Sequence, residues 1–137
     1  MTEPDANFHE TGFKMEEDLD FEISFYADLV KDKPDFVNAL ILLGDAYTKK
    51  GINDKALEID IRLSSLCPDD PVVHYNLACD YSVLKDADKC IETLEKAMKL
   101  GYRDFRYMEK DPDLAYVRQD IRYKEILLKY KKRRGGL

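Results

Sequence analysis

Few side chains in this sequence stand at spacings that support covalent or metal chemistry. Cys67, Cys79 and Cys90 form no CxxC pair, and three cysteines make a poor disulfide framework. His9 and His74 are the only histidines, with no HxxxH or HExxH spacing, so neither a metal site nor any cofactor is expected. No glycine-rich phosphate loop, GxSxG turn or paired catalytic motif occurs, and the many carboxylates fall on helix surfaces where solvation accounts for them. A non-enzymatic protein is therefore expected. The chemistry these residues can do is recognition. Tyr75 and Asn76 offer ring area and hydrogen bonds, and the run Lys129-Tyr130-Lys131-Lys132-Arg133-Arg134 offers charge.

The elements that position these residues repeat. Leu43-Gly44-Asp45-Ala46-Tyr47 is echoed 34 residues later by Leu77-Ala78-Cys79-Asp80-Tyr81, Ala56 by Cys90, and Pro34 by Pro68. A period of 34 marks helix-turn-helix units that bury their apolar faces against each other. The apolar spacing predicts a helix over 15–31, ended by Lys33-Pro34. A second follows over 35–50, with Gly51 as its left-handed stop. Asn53 or Asp54 caps a third, carrying Ala56, Ile59, Leu63 and Leu66. The unit then recurs: Asp70-Pro71 caps and opens a helix with Val73, Leu77, Ala78, Tyr81 and Leu84 inward. Asp86 to Asp88 begins the next, with Cys90 as a small, reduced core residue, and Gly101 closes it. Pro112 falls 34 residues after Ala78, inside what would be another long helix, and excludes a regular third unit. Short turns over 105–117 and a final helix over 121–132, capped by Asp120, are predicted instead.

Composition agrees. With 137 residues, 45% hydrophobic and 36% charged, the chain fits one helical domain, and only six glycines and five prolines interrupt it. No run of about 18 apolar residues exists to span a membrane, and the acidic N-terminus is unlike a secretory signal. A cytoplasmic location follows as the expectation. The net charge of −6 is unevenly spread. Residues 1–36 carry eleven acidic side chains against three lysines, whereas residues 118–137 carry eight basic ones against Asp120 and Glu125. The expected organisation is a flexible acidic tail over 1–14, a single helical domain over 15–133 with repeats at about 37–70 and 71–104 and a closing segment over 105–133, and a basic, glycine-containing tail over 134–137.

Leu43-Gly44, Tyr47, Gly51, Ala56 and Pro68, with Leu77, Ala78, Tyr81 and Ala97, resemble the tetratricopeptide repeat consensus. Gly101-Tyr102-Arg103-Asp104-Phe105, Asp111-Pro112-Asp113-Leu114 and Arg118 resemble the degenerate closing segment of many bacterial arrays. The resemblance implies an all-α, TPR-like α-solenoid of two full repeats with an N-terminal helix and a C-terminal capping segment. It also implies an adaptor or scaffold in a bacterial cytoplasm that binds a protein or peptide in a concave groove. The groove positions are Asn38, Ile41, Asp45 and Thr48 in the first unit, and Val72, Tyr75, Asn76, Cys79 and Ser82 in the second. Tyr75 is the expected anchor, and Arg106 and Lys110 follow if the closing segment continues the surface. The mode in which such arrays grip a C-terminal carboxylate is not expected, because Ile41 and Asp45 stand where lysine and asparagine are needed. Asp60 occupies a position where the consensus favours an aromatic. It is either a structural carboxylate bonded to Tyr47, Tyr75 or Asn76, or a group pointing into the groove. The alternative function is self-association of the acidic first helix of one copy with the basic last helix of another. Nucleic-acid binding through the basic tail ranks below both, since the chain as a whole repels polyanions.

Overall fold

The computed structural model describes the backbone of residues 3–135 and the side chains of residues 18–133. The remainder of the two expected tails, 1–14 and 134–137, lies outside the described residues. Seven α-helices follow in chain order among the described residues: α1 (Glu3–Asp32), α2 (Val37–Lys50), α3 (Asn53–Leu66), α4 (Pro71–Val83), α5 (Ala87–Lys99), α6 (Phe105–Lys110) and α7 (Ile121–Gly135). Two 3₁₀ turns, Pro112–Leu114 and Val117–Gln119, join α6 to α7. No strand occurs among the described residues, and the fold is an all-α helical repeat. The backbone of α1 begins earlier than the apolar pattern predicts, since residues 3–14 lack apolar spacing yet continue the same helix.

The repeat is written in backbone hydrogen bonds as well as in residues. After α2, Gly51 takes φ 83°, and the Ile52 N–H donates to the Tyr47 carbonyl at 2.9 Å. In the next unit Lys85 takes φ 64°, and the Asp86 N–H donates to the Tyr81 carbonyl at 2.8 Å. The following helix opens the same way in both units, Ala56 N–H to the Ile52 carbonyl and Cys90 N–H to the Asp86 carbonyl. Caps fall where the sequence puts carboxylates. Asp70 accepts from the Val72 and Val73 N–H groups, with Pro71 first in α4. Asp86 accepts from Lys89 N–H, and Asp120 from Arg122 N–H at the start of α7.

The chain divides into two compact units, Met1–Ile59 and Asp60–Leu137, and the division falls within α3. In the first unit α1 packs on α2, burying Val30, Leu40, Leu43 and Ala46. Lys50 and Asp20 form an ion pair across the two helices. In the second unit α4 packs along α5, and the closing segment adds to the same core. Leu94, Met98, Met108, Leu114, Val117 and Tyr130 are all fully enclosed there. Cys90 is also sealed in, and burial pushes its thiol up to about 12, so it stays a reduced, inert filler. The α7 helix is fastened by Lys129 to Glu95 at 2.9 Å and Arg122 to Asp88 at 2.7 Å. Arg103 and Arg133 stack near the Tyr130 ring. No helix of the described residues is long and apolar enough to cross a membrane.

Candidate binding site

The second unit presents an open cleft of about 450 Å³ between the first turns of α4 and the link from α5 into α6. Pro71, Val72, Tyr75 and Asn76 line one side; Gly101, Tyr102, Arg103, Asp104 and Tyr107 line the other. Asp70 and Pro71 fix where α4 starts, which sets Val72 and Asn76 one turn apart on the cleft wall. On the opposite wall, Asp104 caps α6 by accepting from Tyr107 N–H at 3.2 Å. The Arg103 guanidinium is drawn inward by the Tyr102 carbonyl at 2.9 Å and by the Met98 carbonyl. Val72 and Tyr107 remain open, at 53% and 44% exposure. The floor is a pair of tyrosines: Tyr75 and Tyr102 stack with centroids 4.2 Å apart and planes within 3°, and Tyr107 tilts over Tyr75 at 6.3 Å.

Beneath this floor lies a hydrogen-bonded cluster. The Tyr75 hydroxyl donates to Asp111 Oδ2 at 2.6 Å and the Cys79 thiol to the same oxygen at 3.7 Å, while Asp113 N–H donates to Oδ1 at 3.0 Å. Arg118 Nη2 anchors the segment by donating to the backbone carbonyls of Met108 (2.9 Å) and Asp111 (2.6 Å). Burial, then the neighbouring thiol and carboxylate, raises the Tyr75 hydroxyl far above its ordinary value, and burial raises the Cys79 thiol likewise. Both keep their protons and act as donors to a carboxylate. Cys79, Asp111 and Asp113 each place one ligand atom within 4.8 Å of the others. That spacing could hold a cation, but Asp111 already accepts an O–H, an S–H and an N–H, and burial opposes the thiolate a metal needs.

The placement of the expected groove residues is mixed. Val72, Tyr75 and Asn76 come together in the cleft. The expectation of an open row along α4 is corrected: Tyr75 is only 4% exposed, and Cys79 and Ser82 are buried with it. The physical reason is the turn at Pro112–Leu114, which packs on this face of α4 and inserts Asp111 as the common acceptor. Asn38, Ile41, Asp45 and Thr48 are exposed on α2 in the first unit. There Asp45 pairs with Lys49 at 2.9 Å, and Thr48 donates to the Gly44 carbonyl. Arg106 and Lys110 are exposed on α6. Tyr102 and Tyr107 belong to the cleft but were not singled out by sequence. The density of tyrosines after Gly101 was the available signal.

Asp60 is buried beside a second carboxylate, Asp80, which is hydrogen-bonded to it and is buried as well. Two carboxylates can share a hydrogen bond only if one keeps a proton. Burial, then the bond to Asp60 and its charge, lifts Asp80 to about 10. His74, also buried, donates from Nε2 to the Pro68 carbonyl at 2.8 Å and so acts as a structural link.

No family model matches the chain. Over 93 residues it is 33% identical to a chloroplastic protein of Arabidopsis thaliana, a stretch that covers 64% of this chain and 27% of that protein. The chain thus spans about a quarter of the length of that relative.

Proposed function

We propose that this chain is a tetratricopeptide-type interaction module, an adaptor with no catalytic activity of its own, that holds a peptide segment of a protein partner in the cleft between α4 and α6. The observation that carries this reading is the cleft itself. Tyr102 and Tyr107 give rigid aromatic area, Val72 an apolar contact, and Asn76 a donor and an acceptor for a peptide backbone. Its supports are stiff, because the Tyr75 ring is held by the Tyr102 stack and the Asp111 bond. Preorganised aromatic walls of this kind give affinity at low entropic cost. The groups that could have done acid–base work are committed elsewhere: Tyr75, Cys79 and Asp111 bond one another, and Asp80 bonds Asp60. The tetratricopeptide assignment rests on the 34-residue recurrence in residues and in turn geometry. The cytoplasmic setting belongs to the same reading and rests on the sequence alone.

The test uses peptides selected for binding to the 137-residue chain from a random display library. Val72→Asp with Tyr107→Ala is expected to weaken the selected peptides tenfold or more, with helicity and melting unchanged because both side chains are exposed. Binding that survives the double change would reject the cleft as the site. Tyr75→Ala is the wrong probe, since it removes a core ring and leaves Asp111 short of a donor.

A further inference from the structure

Two exposed helix stripes are left without a use by the cleft. On α1, Asp18, Phe21, Phe25, Asp28 and Asp32 recur at i, i+3, i+7, i+10 and i+14, which sets them along one face. All five are exposed, Phe21 at 69% and Phe25 at 50%, with the two rings stacked at 6.1 Å. None of the three aspartates forms an ion pair with another described residue. On α7, Ile121, Lys124, Leu128 and Lys132 line the face opposite the core, with Glu125 at its edge. Ile121 and Leu128 are 66% and 69% exposed. Lys129 and Lys131 are taken up by Glu95 and Glu109, but Lys124 and Lys132 pair with no described carboxylate. Paired large apolar side chains flanked by charges of mainly one sign, acidic on α1 and basic but for Glu125 on α7, are the composition of a contact surface.

We propose that the chain self-associates by laying the acidic–aromatic stripe of α1 from one copy against the basic–aliphatic stripe of α7 from another. A second copy is the occupant because the complement of each stripe is on this same chain: acids with phenylalanines on one, lysines with aliphatics on the other. Like stripes repel, so α1 does not pair with α1, nor α7 with α7, and charge selects the heterologous contact. Used reciprocally the contact closes a two-fold dimer, and used singly it extends head to tail. One helix-on-helix contact is small for a stable interface, so the association is weak and salt-sensitive.

Sedimentation velocity of the 137-residue chain is the test, at about 50 mM and about 500 mM salt, where the screening length falls severalfold. The wild type is expected to sediment faster as concentration rises at low salt and to lose this at high salt. Asp28→Lys with Asp32→Lys, and separately Lys124→Glu with Lys132→Glu, should each stay monomeric where the wild type associates. An equimolar mixture of the two variants should associate again, because each then offers what the other lacks. Phe25→Ser, at a half-exposed position, should weaken association at low salt while the helix signal in circular dichroism is kept. A monomer at every concentration in low salt overturns the proposal. So does association untouched by both charge reversals, and so does an α1–α7 cross-link whose yield ignores dilution, which would mean that the stripes meet within one chain.

Discussion

Asp80 carries the least ordinary chemistry in the molecule, because burial and a hydrogen bond to Asp60 together oppose its ionisation. Its hold on a proton is tighter folded than unfolded. The stabilisation is therefore fully present below the usual carboxylate range and is lost progressively as pH rises from there toward about 10. Asp80→Asn replaces the shared proton with an amide that cannot titrate. The variant's stability should fall less steeply between about pH 5 and about pH 9, by up to one proton or roughly 1.4 kcal/mol per pH unit. Urea denaturation at a series of pH values measures the slope, and a slope equal to that of the wild type would rule out the shared proton. Half of this pair was legible in the sequence. Asp60 stands out as a carboxylate at a core position of the repeat, so the need for a partner is visible. Asp80, 34 residues after Ala46, reads as an ordinary charged variant of a small helix residue. Only the packed structure shows it buried against Asp60.

At the scale of elements, the two turns that close the repeated helices use the same left-handed geometry with different residues, Gly51 at φ 83° and Lys85 at φ 64°. A Cβ built on Gly51 would meet nothing within 4 Å, so packing places no limit there and the backbone alone does. Gly51→Ala should cost about 1 kcal/mol, and Gly51→Asn less, because asparagine tolerates this conformation better. Thermal melts of the two variants test this. Equal losses would mean that something other than φ sets the preference. Helix ends of this kind were readable in advance from Asp70-Pro71, Asp86, Asp120 and Gly51, since capping depends on near neighbours in the chain. The irregularity after Gly101 was also visible in Pro112. What could not be read was where that irregular segment lies. The Pro112–Leu114 turn covers the α4 face carrying Tyr75, Cys79 and Ser82, so α4 is enclosed nearly all round and the open row expected there shrinks to Val72 and Asn76. Long-range packing of a short, aperiodic segment leaves no period to detect. The tyrosines it contributes to the cleft were missed for that reason.

At the scale of the whole molecule, the described side chains are buried unequally in the two compact units. The second unit encloses large side chains from α4, α5, α6 and α7 in one continuous core, among them Leu94, Met98, Met108, Leu114 and Tyr130. Among the described side chains, the first unit encloses a smaller set in which alanines weigh heavily: Ala39, Ala46 and Ala56 beside Val30, Leu40, Leu43 and Ile59. Local opening free energy follows the apolar area an element hides, at about 25 cal/mol per Å². Ion pairs at the surface, such as Lys49 with Asp45, add little to that difference. The α2 helix should therefore open before α4 and α5 do. Native-state hydrogen exchange of the full chain is the measurement, read residue by residue at low denaturant. Protection of α2 amides such as Leu43 and Gly44 is expected to be at least about tenfold lower than that of Leu77, Ala78 and Leu94. The α2 amides should also respond to denaturant with a shallower slope, because a partial opening exposes less surface than global unfolding. If α2, α4 and α5 instead exchange with one free energy and one slope, the chain opens all at once. In that case the boundary within α3 has no energetic meaning.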